Sequence, residues 1–319
     1  MDRTAGGGVK RLAFGVSLLL AGCSGKHPIT VGSKNFTEQV ILGEIVAQHL
    51  EHRLGERVSR KLDLGGTLLA HEALVKGGID LYPEYTGTAL TNVLKRPPSA
   101  GAAQVLEAVR AAYRSRWNLE WLPPLGFNNT FAIAIRGEAA RSRRIRTLSE
   151  AAGYQPGWTL GVGYEFLRRP DGLPGMLRAY PLRVKGSPVS MDLGLLYQAL
   201  EQKKVDMIAG SETDGLLSVL DVLVLDDDRQ YFPPYQAALV VRSGILTSDA
   251  RIRPALEELS GKFTDATMRR LNYAVDGKHH PAREVASKFL QEVHLSGLAT
   301  GPSPQIREFS RPMDTVRGP

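Results

Sequence analysis

Two stretches in which strand-like and helix-like segments alternate, joined by two strand-like crossings, constrain this chain most. In the first, Ile29–Val31 is a short β-branched run, and Val40, Ile41, Ile45, Val46 and Leu50 then fall at helical spacing as far as about Leu54. Val58–Leu64 reads as a second strand, Thr67–Lys76 as a helix and Ile79–Tyr82 as a third strand. Such alternation with short connections predicts an α/β domain with a mainly parallel sheet. Thr37, with Glu38 and Gln39, reads as a capping segment at the start of the first helix. A second alternating region covers Leu148–Leu225, with strand character at Thr159–Val162, a helix over Met191–Glu201 and a strand at Val205–Ala209. Beyond Ala237–Val241 the pattern is helical, near Pro254–Ser260, Asp265–Asn272 and Pro281–Val293.

Crossings near residues 130–136 and 235–242 imply one lobe built from both ends of the chain and a second lobe inserted in the middle. The expected division is lobe 1 over 23–130 plus 237–300, lobe 2 over 131–236, and a poorly ordered tail over 301–319.

Residues 1–22 read as an export leader. Arg3, Lys10 and Arg11 precede an apolar run, Leu12–Leu20, that is too short to span a bilayer. Leu20-Ala21-Gly22-Cys23 matches a lipobox, so Cys23 is the expected lipidation site, with two-chain anchoring to a membrane. Cys23 is the only cysteine, which leaves no internal disulfide and no cysteine-based metal site. The formal charge of +7 falls to +5 without the leader, which carries three cations and one anion. The Lys and Arg residues are scattered rather than grouped, which argues against a nucleic-acid partner.

Catalytic signatures are weak. Gly161-Val162-Gly163 follows a strand, but Phe166 stands where a dinucleotide fingerprint needs its third small residue. His279 and His280 are adjacent rather than at the i, i+4 spacing of a helical metal pair. No nucleophile elbow, phosphate-binding lysine loop or zinc-protease motif occurs in the sequence, so neither an enzyme nor a cofactor or metal is expected.

Seven short motifs occur in order: Gly32–Gln39 (GSKNFTEQ), Asp80–Thr88 (DLYPEYTGT), Leu125–Thr130, Glu165-Phe166 with Arg169 and Asp171-Gly172, Thr213-Asp214-Gly215, Phe232–Tyr235, and Met268–Tyr273. In these the chain resembles the substrate-binding lipoproteins of ABC importers for glycine betaine, choline and carnitine. The resemblance implies a type II periplasmic-binding-protein fold, two α/β lobes with a two-strand hinge and a ligand cleft between them. It also implies a monomer that closes on a quaternary ammonium ligand and delivers it to an ABC permease with its ATPase subunits, in the periplasm or at the cell surface.

A trimethylammonium group has no N–H to donate, and the negative faces of aromatic rings suit it. The resemblance places cage walls at Tyr85, Phe131, Ser211 and Tyr235, positions usually tyrosine in betaine-binding members. Here Phe131 lacks a hydroxyl and Ser211 lacks a ring. Losing one ring, at roughly 0.5–2 kcal/mol, would weaken binding about threefold to thirtyfold. For the ligand's carboxylate the family pattern points to Lys34, Gln39 and Arg169, with Asn129 and Thr88 as further polar contacts. Some relatives carry aspartate at the position of Thr88 and narrow toward choline, so threonine favours a carboxylate-bearing zwitterion. Glu212, beside the missing wall, is a candidate partner for the cationic end or for an extra N–H. That pair suggests a bulkier zwitterion such as ergothioneine as the alternative ligand. A sensory or scaffold lipoprotein that has kept the fold without the transport role is the alternative of another class.

Overall fold

A computed structural model describes residues 28–98 and 101–295. The leader 1–22, Cys23 and the tail 301–319 lie outside the described residues. Among the described residues ten strands form two five-stranded sheets: β1 (Thr30–Gly32), β2 (Ser59–Lys61), β3 (Leu81–Tyr85), β4 (Leu119–Trp121), β5 (Phe131–Arg136), β6 (Leu160–Val162), β7 (Val189–Ser190), β8 (Met207–Ser211), β9 (Val222–Val224) and β10 (Ala237–Arg242). The first sheet runs β2-β1-β3-β10-β4 and the second β7-β6-β8-β5-β9. The strand that follows each crossing, β5 or β10, is inserted into its sheet antiparallel to both neighbours. Both sheets are therefore mixed rather than mainly parallel, because a strand entering from the hinge runs against the βαβ strands beside it.

The first sheet is covered on both faces. On one lies α1 (Thr37–Leu54), joined by helices Ile252–Glu257, Asp265–Asp276 and Ala282–Glu292, around Ile41, Leu42, Ile45 and Leu50. On the other lie α2 (Thr67–Val75) and helix Ala102–Trp117, around Tyr82, Val109 and Tyr113. Two further apolar clusters hold the second sheet, one centred on Trp158, Leu160 and Met207, the other on Leu196, Leu200 and Ile208. α1 ends where Gly55 takes φ +68° and returns its N–H to the carbonyl of Glu51, a conformation that costs glycine nothing.

The start of α1 differs from the sequence reading. Phe36 is the N-cap, and Thr37, one residue inside, donates its hydroxyl to Asp276 Oδ1 at 2.6 Å. Thr37 thus ties α1 to the distant helix Asp265–Asp276 instead of capping its own helix. Met191–Glu201 also resolves differently, into a 3-10 turn at Leu193–Leu195 and a helix over Leu196–Glu201.

Two segments run antiparallel between the sheets. Asn128 bridges Gln236, Asn129 N–H donates to the carbonyl of Tyr235, and Tyr235 N–H donates to Asn128 Oδ1. The candidate site residues Asn129, Phe131 and Tyr235 sit on or beside this two-strand hinge.

Candidate ligand cleft

Between the sheets lies a cavity of about 460 Å³, within the range of small-molecule sites. Its wall brings together Lys34, Tyr85, Thr88, Asn129, Phe131, Arg169, Ser211 and Tyr235. Gln39 and Glu212 require correction as direct contacts, because neither lines the cavity. Gln39 is fully buried below it, where its Oε1 accepts the backbone N–H of Lys34. Glu212 faces Arg269 and Asp265; its pKa is raised by burial and by Asp265, and Arg269 Nε donates to its backbone carbonyl.

Ring order follows from the hinge. β5 begins at Phe131 and the return segment ends at Tyr235, so the two rings meet edge to face at 5.5 Å and 76°. Phe166 packs on Phe131 from the other side at 4.7 Å. The Thr86-Gly87-Thr88 turn after β3 comes so near Tyr235 that a Cβ on Gly87 would stand 2.7 Å from its ring, so only glycine allows this approach. Tyr197, which the sequence reading did not single out, also lines the cavity; it comes from the second lobe, and its hydroxyl donates to Asp214 Oδ2 at 2.8 Å. The same carboxylate oxygen accepts the backbone N–H of Ser211. Tyr197 therefore stands next to the position where Ser211 lacks a ring.

The two candidate anion-binding cations are already paired within the protein. Lys34 Nζ donates to Glu84 Oε1 at 2.6 Å, and its ammonium lies 4.6 Å from the Tyr85 ring centre. Arg169, unlike its exposed neighbour Arg168, is buried. It holds Asp171 with two hydrogen bonds, at 2.9 and 2.6 Å, and its guanidinium lies 5.1 Å from the Phe131 ring centre. Tyr235 donates its hydroxyl to Asp171 Oδ2 at 2.6 Å. Burial pushes the Asp171 carboxyl up, but Arg169 and the Tyr235 hydroxyl outweigh it and leave its pKa below the usual range.

Several acidic groups also reach the cavity. Glu38 is 2% exposed and accepts from Tyr85, Asn129, Thr213 and Asn272; burial raises its pKa despite those donors. Asp214 is pushed up to about 7, chiefly by burial, and Asp276 is raised by the same cause. Glu38, Asp214 and Asn272 fall inside motifs that the sequence already marked, although their chemistry was not assigned from it. Tyr197 lies outside every such motif.

The lobes touch across the cleft. Glu165 accepts both the backbone N–H and the hydroxyl of Thr67 at the N-terminus of α2, at 2.7 and 3.1 Å, where the helix dipole favours a carboxylate. Tyr164 donates to Asn35 Oδ1 at 3.3 Å.

Residues 27–292 match the family described as the substrate binding domain of ABC-type glycine betaine transport systems, OpuAC. The chain belongs to this family. It is 36% identical over 288 residues to a glycine-betaine-binding protein of Pseudomonas aeruginosa, covering 87% of this chain and 92% of the relative. It is 30% identical over 285 residues to the carnitine transport binding protein OpuCC of Listeria monocytogenes, covering 86% and 92%. It is also 36% identical over 272 residues, 85% of this chain, to the Helicobacter pylori protein named ergothioneine transport permease/ergothioneine binding protein EgtU, of which it spans 48%, about half. A solved structure described as a glycine betaine/carnitine/choline ABC transporter superposes with a TM-score of 0.70 at 29% identity, covering 84% of this chain and all of that one. The family is one of transport binding proteins with the two-lobed fold described above. Among the described residues no helix is long and apolar enough to cross a membrane.

Proposed function

We propose that this protein captures a quaternary ammonium zwitterion of the glycine betaine type outside the cytoplasm and presents it, lobes closed, to the permease of an ABC importer. Cys23 is the proposed lipid anchor, and the protein acts as a monomer without catalysing a reaction. The observation that carries the reading is the meeting of Tyr85, Phe131 and Tyr235 on one cavity beside carboxylates, an environment suited to a methylated cation. In this reading Arg169 and Lys34, each shared with its internal acid, face the ligand's carboxylate. Thr88 and Asn129 add polar contacts.

A second reading is favoured by Ser211, which supplies no ring at its own position, where Asp214 and the neighbouring Tyr197 line the cavity instead. A trimethylated zwitterion carrying an N–H-bearing ring, such as ergothioneine, suits that side better than glycine betaine does.

The test is melting of the soluble form, starting after Cys23, with glycine betaine, choline, carnitine, proline betaine and ergothioneine. A ligand at 100 times its dissociation constant adds about 2.7 kcal/mol, a rise of several degrees for a chain of this size. A rise with the small betaines supports osmoprotectant capture, and a rise with ergothioneine alone supports the second reading. A flat response to all five would favour a sensory or scaffold protein.

A further inference from the structure

The charges around the cavity do not cancel evenly. Lys34 pairs with Glu84, and Arg169 pairs with Asp171. Glu38 forms no ion pair among the described residues, although it is 2% exposed and lines the cavity. Its four partners are all neutral. Oε1 accepts from the Tyr85 hydroxyl at 2.6 Å and Asn129 Nδ2 at 2.8 Å; Oε2 accepts from the Thr213 hydroxyl at 2.5 Å and Asn272 Nδ2 at 3.0 Å.

Those donors come from β3, the hinge, the segment after β8, and helix Asp265–Asp276, so both lobes converge on one carboxylate. They hold its orientation and occupy the roughly four positions at which a carboxylate accepts. An isolated buried charge is costly, and hydrogen bonds from neutral groups offset only part of that cost. Two further acceptors lie beside it: Asn129 Oδ1 and Asn272 Oδ1 are buried without a partner, and both residues line the cavity. Asn272 is 3% exposed, and both amide nitrogens are committed to Glu38, which leaves their oxygens as acceptors. The cation nearest this part of the wall is Lys34, 4.6 Å from the Tyr85 ring centre, and its ion pair is with Glu84 rather than with Glu38.

We infer that Glu38 is the counter-charge for the ligand's quaternary ammonium group, acting through its field across the Tyr85 wall rather than through a hydrogen bond. The inference deepens the betaine reading and rests on it. A carboxylate with its acceptor positions filled suits a cation that has no N–H to donate. Glu38 thus adds to the charge selection that the ring faces already exert, and the bond from Thr213 makes its geometry depend on lobe closure.

The test compares glycine betaine with 3,3-dimethylbutanoate, in which carbon replaces the quaternary nitrogen, so that shape and carboxylate stay and only the positive charge goes. Affinities are measured by calorimetry for the wild type, Glu38→Gln and Glu38→Met, with a melting curve for each protein. The wild type is expected to prefer glycine betaine by about 30-fold or more, the loss typical of removing one member of a buried charge pair. A neutral residue at position 38 should lower that preference by about tenfold or more, leaving the part that the ring faces supply, and move 3,3-dimethylbutanoate by less than about threefold. Equal losses for both ligands in a folded variant would reduce Glu38 to a strut for Tyr85 and overturn the inference. A wild-type preference below about tenfold overturns it with no variant at all. If the wild type binds 3,3-dimethylbutanoate but no trimethylammonium compound, the betaine reading falls and takes this inference with it.

Discussion

In the proposed reading Tyr235 has two separable roles, wall and strut. Its ring faces the cavity beside Phe131, and its hydroxyl donates at 2.6 Å to Asp171, which is fully buried and paired with Arg169. Tyr235→Phe keeps the ring and removes one donor to a buried charge. A hydrogen bond to a charged group is worth about 1.5–3 kcal/mol. At roughly 2–4 °C per kcal/mol, the ligand-free melting temperature should fall by about 3–12 °C. Affinity for glycine betaine should change by less than about threefold, because the π face remains. Tyr235→Leu removes the face itself, worth about 0.5–2 kcal/mol to a cation, and should weaken glycine betaine by about twofold to thirtyfold. Calorimetric titration and melting of the two variants side by side separate the roles. If Tyr235→Phe loses as much affinity as Tyr235→Leu, the hydroxyl rather than the ring serves the ligand. An unchanged melting temperature would refute the strut.

Three further outcomes are expected. Ser211→Tyr should tighten glycine betaine about twofold to thirtyfold by restoring a ring; no gain in titration would mean that Tyr197 already closes that side. Gly66→Ala would place a Cβ 2.5 Å from Glu165 Oε1 and 2.8 Å from the Tyr164 hydroxyl, so it should weaken every ligand alike by displacing the contacts that join the lobes, and because Gly66 is the N-cap of α2 it should also lower the ligand-free melting temperature by a few degrees at most, a combination read by melting with and without ligand. Asp214, raised to about 7 by burial, binds a proton in the folded protein that it has lost in the unfolded chain between about pH 4 and 7, so its contribution to stability falls as pH rises across that window; Asp214→Asn should flatten denaturant-measured stability there, and an unaltered slope would rule out the assignment.

The alternation of short β-branched runs with helical spacing was enough to read the two lobes, because backbone class follows local pattern. Pairing direction was not readable, since β5 and β10 take their orientation from the hinge rather than from their own residues. Helix Ala102–Trp117 is the longest element absent from the sequence reading, although Val105, Leu106, Val109 and Ala112 recur at helical spacing within it. Among the candidate site residues, pairing was not legible. Lys34 and Arg169 look alike in sequence as cations near ordered motifs, yet each is bound to an acid, Glu84 fifty residues away and Asp171 two residues away. Glu38 reads locally as an ordinary acid in a first helical turn. Its buried carboxylate is held by Thr213 and Asn272, more than 170 residues distant.

That pairing changes how the role of Arg169 must be tested. Its Nε and one terminal nitrogen hold Asp171, and the other terminal nitrogen lies 3.9 Å from Glu165, so N–H groups remain that a ligand's carboxylate can share. Arg169→Met alone leaves Asp171 buried and unpaired, at a cost of about 3–5 kcal/mol, and any loss of binding would then mix misfolding with lost contact. Pairing it with Asp171→Asn removes both charges and should recover most of the stability, a coupling that the double-mutant cycle measures directly. In the double variant, loss of a charge-assisted hydrogen bond should weaken glycine betaine by about tenfold to a hundredfold and leave choline, which has no carboxylate, within about threefold. If the double variant is stable and binds both ligands as the wild type does, Arg169 serves only to brace Phe131 and Asp171, and the ligand's carboxylate must be received elsewhere on the wall, with Lys34 the next residue to test.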